Sequence, residues 1–562
     1  MDAWRGGVAT SIFSRSIFCH LDKNVDVMGH TSPRLRKGLM ALVLILVFAT
    51  IVLRPSAAGP HPLGGEELEI DRQSSSVENV CVGWKPDQRI LCGLEGCQRL
   101  IRALQDENCM AALKSEQNAQ LVGGKIAKLS EEGAFTFFRG ADGFFFWEMK
   151  CAIENFSKET TRFQRVLSNG DTHPENFGVM QQANGQLVWG TNDFDQAMHA
   201  PFTWDFRRGA TGFALACMSE GFNSSECSTI VEGWINGYAG LFSGSCTFKN
   251  GDRFVEGSPL FTEASWAAGI GKLLQDTRAK FQGEGAMEKW FQKKGVNLTT
   301  NHFVASEEVA PINDPKVFRE FQEAIHRYMY SGVSALAKFD NDVRFFELQD
   351  VAQKYGSGTG SIGLDRYLLL VKGGKYPRIV EMKQVTESVV ERYTRFEYTD
   401  AEEAQRVVNA DKAAYPYSNV FYGSVMFRGH PFILREKNKY KNDVDWRDLS
   451  FEGLRRYAYA TGRAQALFHT KVSCGSPACK LDAPALVDAE ICMGIKETLD
   501  DRAESSRLRR ETLQFALDEA QRHIAAQNAL SSIIRTAPSR VKAAPELLLN
   551  QDESQKVCSR IN

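Results

Sequence analysis

Apolar and polar positions divide the chain into stretches of different rhythm. The first apolar stretch, Gly38 to Leu53, reads GLMALVLILVFATIVL and carries no charge. Its 16 residues fall just short of the roughly 17 to 25 expected of a spanning helix. Arg34, Arg36 and Lys37 precede it, so the positive-inside bias places residues 1–37 in the cytosol and everything after Arg54 in a secretory lumen. This is a type II signal anchor, and so short a span suits a thin bilayer such as that of the endoplasmic reticulum or Golgi. A cleaved leader ending at the small residues Ser56, Ala57 and Ala58 is the competing reading and would make the protein secreted. Residues 54–76, rich in Gly, Pro, Ser and acid, read as a stalk.

Beyond the stalk, a dense aromatic run, FTFFRGADGFFFWEM, predicts core packing around a turn at Gly140 to Gly143. Residues 165–208 carry loop, hairpin and helix signals in turn. Asn184-Gly185 joins two short apolar runs as a hairpin would, and after Asp205 the spacing becomes helical. Residues 247–342 read as helices with loops. From residue 350 to 436 β-type residues alternate around glycines, interrupted by a helix from Asp400, suited to capping, to about Ala414. FEGLRRYAYATGRAQALFHTK is helical again. A main domain over residues 77–494 and a helical tail over 495–562, read as a solvated amphipathic helix on the domain surface, complete the organisation.

Lys and Arg total 67 against 69 Asp and Glu, a net charge of -2 that offers no field for nucleic acid. Twelve of the thirteen cysteines follow the apolar run, where an oxidising lumen permits disulfides. Their connectivity is not readable from spacing, although Cys474, Cys479 and Cys492 lie close enough for one local bridge. A zinc site lacks the paired C-x-x-C or neighbouring histidines it needs. Sequons at Asn155, Asn223 and Asn297 fit a lumenal glycoprotein.

Three separated motifs carry the chemistry. Phosphoryl transfer needs a carboxylate to orient the acceptor, oxygen ligands for magnesium, and a cation with backbone amides on the phosphates. In GDTHPENFG, Asp171 and Asn176 stand five apart, the spacing of H-R-D-x-x-x-x-N in kinases. Asp193 follows in NDFD, supplying a second hard-metal ligand beside Asn176. Far downstream GSGTGSIG offers Gly358, Gly360, Ser361 and Gly363 to phosphates, and the following β-run delivers Lys383. Lys383 then calls for a Glu on the next helix, Glu402 or Glu403, with Glu387 and Glu391 as weaker choices. His173 reads as a loop brace, and Arg207 and Arg208 as partners of acids.

These residues resemble the bacterial DUF2252 family, whose hallmark runs G-D-x-H-x-x-N-F-G, N-D-F-D and P-x-x-W-D-x-x-R; here they are Gly170 to Gly178, Asn192 to Asp195 and Pro201 to Arg208. The family is similar to aminoglycoside and choline kinases, which implies that Asp205 braces the loop bearing Asp171. It also implies an α+β, two-lobed protein-kinase-like fold with extra helices, using ATP and Mg2+. Two features depart from the pattern. Gln384 stands where the family has Glu after the strand lysine, and the Asp171 loop precedes the glycine loop. Circular permutation accounts for the order, provided that the helix ending at His469 lies beside Arg165.

The leading expectation is therefore an ATP- and Mg-dependent phosphotransferase acting on a hydroxyl of a small molecule, glycan or protein in the lumen. Asp171 is its catalytic residue, Asn176 and Asp193 its metal ligands, and the glycine loop, Lys383 and Glu403 its nucleotide contacts. Nucleotidyl (AMP) transfer and a pseudokinase scaffold are the alternatives.

Overall fold

The computed structural model describes residues 100–104, 108, 116–153, 156–182, 185–243, 265–330, 342–356, 360, 362–393, 400–415, 421–470 and 489–536. The expected cytosolic segment, anchor and stalk lie outside these residues, as do Gly358, Ser361, Cys474 and Cys479. Among the described residues no helix is long and apolar enough to cross a membrane. The fold is α+β, with several small antiparallel sheets and one of six strands.

After a helical stretch at residues 100–104 come helices α1 (Glu116–Glu131), α2 (Ala134–Gly140), α3 (Asp142–Ala152) and α4 (Phe156–Arg162). The aromatic run forms α2 and α3, broken at Ala141, where φ -131 and ψ 57 leave the helical region. Its phenylalanines are buried, as expected of core packing.

Strands β1 (Arg165–Ser168) and β4 (Met198–Pro201) pair around the hairpin of β2 (Phe177–Gln181) and β3 (Leu187–Thr191). At the turn Gly185 has φ 83, a conformation that glycine adopts without steric cost. Helix α5 (Phe202–Ser219) follows directly. Helix α6 (Ser224–Leu241) opens with a reciprocal cap, in which Asn223 accepts from the Ser225 and Glu226 amides and Glu226 accepts from the Asn223 amide. A disulfide joins Cys217 near the end of α5 to Cys227 in α6, and Cys151 and Cys492 are disulfide-bonded too.

The stretch expected to be helical contains α7 (Ser265–Ala279), α8 (Ala286–Lys293) and α9 (Pro315–Tyr330), and also short strands. These are β5 (Val296–Asn297), β6 (His302–Phe303) and β7 (Val309–Pro311). Strands of two or three residues are too short to leave an alternating pattern in the sequence.

Five longer strands follow: β8 (Leu348–Lys354), β9 (Arg366–Val371), β10 (Arg378–Gln384), β11 (Gly423–Phe427) and β12 (His430–Glu436). With β7 at one edge they form an antiparallel sheet of order β11-β12-β10-β9-β8-β7. Side chains alternate between its faces. Tyr367, Leu369, Val380, Met382 and Leu434 share a core with α9 through Phe321 and Tyr328. On the opposite face Ile433 packs with Val407 and Val408 of α10 (Asp400–Ala414). Glu381, Lys383 and Arg435, out of phase with the first set, share that second face.

Helices α11 (Phe451–His469), α12 (Ala489–Asp500) and α13 (Arg502–Thr536) complete the chain. Helices α6 and α11 cross with their backbones touching. A Cβ at Gly237 would lie 2.0 Å from the Tyr459 carbonyl oxygen, and one at Gly462 would lie 2.3 Å from that of Trp234. The charged tail is less superficial than its composition suggests, because Leu508, Ala516, Ala520, Leu530 and Ile533 of α13 are fully buried.

Candidate functional site

The loop after β1 is anchored on one buried carboxylate. Asp205 Oδ2 accepts from the Asn169 amide at 2.7 Å, and Oδ1 accepts from the Gly170 amide at 3.0 Å. Gln465 Nε2 and His469 Nε2 approach Oδ2 at 2.9 Å each, and His469 Nδ1 meets the Tyr238 hydroxyl at 2.7 Å. Burial opposes the Asp205 charge, but His469 and the loop amides outweigh it and hold the carboxyl below its usual range. Gly170, at φ 77, is required twice over: a Cβ there would meet the Gln196 carbonyl oxygen at 2.2 Å. Asp205 is thus the brace that the family resemblance implied.

Asp171 emerges from this loop against Arg208, whose Nη2 and Nε lie 2.5 and 3.2 Å from Oδ1. The buried Arg208 guanidinium also donates to Asp142 at 2.6 Å. It stacks 4.3 Å from the Phe138 ring centroid and 4.9 Å from that of Phe145. Burial alone would raise the Asp171 carboxyl, but His173 and Arg208 overcome it and hold the group well below the ordinary carboxylate range. His173 accepts from the Glu175 amide through Nδ1 at 3.1 Å, the bracing role read from sequence. Arg207 and Arg208 likewise pair with acids, Arg207 with Glu159.

Asn176 and Asp193 are brought together by hairpin register. Phe177 pairs with Thr191, so the flanking residues 176 and 192 face each other, and the Asn192 amide donates to the Asn176 carbonyl at 3.0 Å. Asn176 Nδ2 donates to the Asp171 carbonyl at 2.7 Å and to its Oδ2 at 3.1 Å, which leaves Oδ1 as the oxygen for a ligand. Asp193 sits at φ 56, an uncommon conformation for a residue with a Cβ, and Asn169 Nδ2 donates to its carbonyl at 3.0 Å. Its side chain is 45% exposed, and Lys383, Arg435 and Arg366 hold its carboxyl below the ordinary carboxylate range.

Lys383 reaches this point from the sheet. Its Nζ lies 4.0 Å from Asp193 Oδ1 and bonds Asp195 directly. The expected Glu403 pairing is not found: Glu403 bonds Arg406 at 2.8 Å, one turn along its own helix. Arg406 is held there by the carbonyls of Ala197 and Thr386, and among the described residues the carboxylates within ion-pair reach of Lys383 are Asp193 and Asp195. Asp195 was legible as an acid of NDFD but not as the lysine's partner.

A further cluster escaped the sequence. Glu381, 1% exposed, accepts from Lys437 at 2.6 Å and Arg435 at 2.9 Å, with Arg366 at 3.6 Å. Strand register makes the cluster, since Glu381 lies opposite Arg435 and Lys383 opposite Arg366. The signal was present in the period-two spacing of Glu381 with Lys383 and of Arg435 with Lys437, but only the strand pairing shows that they meet.

Asp171, Asn176, Asp193, Asp195, Lys383 and the Glu381 cluster line one cavity of ≈ 660 Å³, together with Gly360 of the glycine loop. The Gly360 carbonyl accepts from Lys125 at 3.1 Å, and Gly363 takes φ 95. Asn176 Oδ1 and the Asp193 carboxylate fit magnesium, which takes one or two carboxylates and leaves its other positions to water and phosphate oxygens. Among the described residues no cluster of three or more His, Cys, Asp or Glu offers a richer metal site.

No curated protein and no solved structure matches the chain. A family model described as an uncharacterized protein conserved in bacteria (DUF2252) matches residues 117–531, well over half of the sequence, and the chain belongs to that family.

Proposed function

We propose that this cleft transfers a phosphoryl group from ATP to a hydroxyl of a small molecule, glycan or protein. The observation that carries the reading is convergence: Lys383 comes within 4.0 Å of Asp193 in a cavity that Asp171 and Asn176 also line. Asp171 stays ionised beside Arg208 and accepts the hydrogen bond that orients the acceptor hydroxyl. Asn176 and Asp193 would hold magnesium, which supplies charge neutralisation on the phosphates when bound. Lys383, set in place by Asp195, and the glycine loop carrying Gly358, Gly360, Ser361 and Gly363 grip the phosphate chain.

Two arrangements support a two-lobed, circularly permuted kinase-like reading. The order β8, glycine loop, β9, β10 with Lys383, then α10 is that of a kinase small lobe. His469, closing α11, bonds the same Asp205 that holds Asn169 and Gly170 just after β1. That is the proximity a permuted order demands. Residues 38–53 would tether the domain to the lumenal face of a secretory membrane.

Asp171→Asn tests the assignment. With purified protein and Mg-ATP, turnover in an acceptor screen should fall by about a thousandfold while nucleotide affinity changes little. Undiminished turnover in this variant would overturn the role of Asp171.

A further inference from the structure

Beyond Lys383 the cleft wall follows β10 to Glu381, and then to Ile379, which enters the core beside Phe291 of α8. Lys294, immediately after α8, lines the same end of the cavity, as do Lys437 and Lys441 after β12. A ligand seated here meets Arg366, Arg435 and Lys437 gathered on the single buried carboxylate of Glu381. Lys294 has no ion pair among the described residues. Lys441 is 71% exposed and reaches Asp443 at 3.5 Å. The other carboxylate on this wall, Glu436, is paired with Arg378 at 2.8 Å.

We propose that this end of the cleft is a second anion subsite that takes phosphate groups, with Lys294, Arg435 and Lys437 as its contacts and Glu381 as their brace. The proposal rests on the reading of the cleft as an ATP-dependent transferase site and sharpens it by naming what lies past Lys383. A purine needs an apolar slot with a few placed polar groups. Here it would rest on a carboxylate and its cations, whereas phosphate oxygens would find charge-assisted donors already oriented. The surplus of cations is costly without a ligand. Burial, then Lys293, Lys441 and Lys354, lower the Lys294 ammonium pKa, and an arriving anion relieves that repulsion. The phosphate comes either from a donor nucleotide lying with its phosphate chain inward, or from a phosphorylated acceptor.

Calorimetric titration of the full-length protein with magnesium tripolyphosphate, with adenosine as the contrasting probe, tests the subsite. Tripolyphosphate should bind, and Lys294→Ala and Lys437→Ala should each weaken it by about tenfold or more, since a hydrogen bond to a charged group contributes on that scale. Adenosine should not displace it. Wild-type affinity for tripolyphosphate in both variants, or displacement by adenosine, would overturn the proposal. Lys294→Ala breaks no ion pair among the described residues, so it remains informative if Lys437→Ala fails to fold. Intact-mass analysis of the product separates the sources: added AMP assigns the phosphates to the donor, and added phosphate assigns them to the acceptor. Failure of the transferase reading would look different, as undiminished turnover in Asp171→Asn with tripolyphosphate binding still sensitive to Lys294.

Discussion

Replacing Asp205 by Asn would change one atom, yet it should be among the most damaging single substitutions in the chain. The carboxylate is fully buried and takes four hydrogen bonds, from the Asn169 and Gly170 amides, Gln465 and His469. The least costly placement of the new amide puts its NH2 at the Oδ1 position, facing the Gly170 N–H, and loses that bond outright. The other three fall from charge-assisted to neutral strength. With about 1.5–3 kcal/mol for a bond to a charged group and 0.5–1.5 for a neutral one, the mid-range loss is roughly 6 kcal/mol, slightly above the range of about 3–5 kcal/mol for a single broken buried pair. Unfolding entropy of about 2.1 cal/mol/K per residue, over a unit of roughly 400 residues, converts this to a melting shift of about 7 °C. Differential scanning fluorimetry of the two proteins at neutral pH measures it. The same variant should lose turnover, because the loop that presents Asp171 hangs on this carboxylate. A shift below about 1 °C would show that Asp205 does not hold the two segments together.

Other expectations follow from the same geometry. Lys383→Met removes the ammonium that bonds Asp195 and faces Asp193 and should raise KM for Mg-ATP and lower kcat, together at least a hundredfold in kcat/KM, by steady-state kinetics. Asp193→Asn should shift the magnesium dependence of turnover to higher concentration, seen by titrating the metal at fixed ATP. Asp171 and Asp205 both have depressed pKa values in the fold. Each therefore contributes stability in full above about pH 4, the unfolded value, and loses it as pH falls through the folded one, so melting temperature should drop steeply on acidification below about pH 4. Non-reducing peptide mapping should recover Cys217 linked to Cys227, and reduction of that bond should cost about 2–3 kcal/mol for so short a loop.

Local rules carried much of this in the sequence. A five-residue spacing gave Asp171 and Asn176, a turn dipeptide gave the hairpin that aligns Asn176 with Asp193, and the order of strand, glycine-rich turn and strand gave Lys383. What local rules did not carry were contacts set by tertiary register. Glu403 stood on the expected helix, but Arg406, one turn away and fixed by two carbonyls, claims it. Lys383 found Asp195 instead, far earlier in the chain. The Glu381 cluster exists only because β10 lies between β9 and β12, an order that hydrophobic patterning does not encode. Strand β7 escaped because three residues show no period. The tail read as a charged amphipathic helix on the domain surface, and one apolar stripe of α13 does pack into the core.

The crossing of α6 and α11 has a mechanical consequence. Two helices separated by side chains slide past each other as rotamers exchange, which is how shear motions arise. Where Gly237 and Gly462 bring main chain onto main chain there is no such lubricating layer, and translation by even an ångström would drive carbonyl oxygens into carbon. The crossing of α6 and α11 is therefore a stiff joint of the helical body, one that resists sliding along either helix axis.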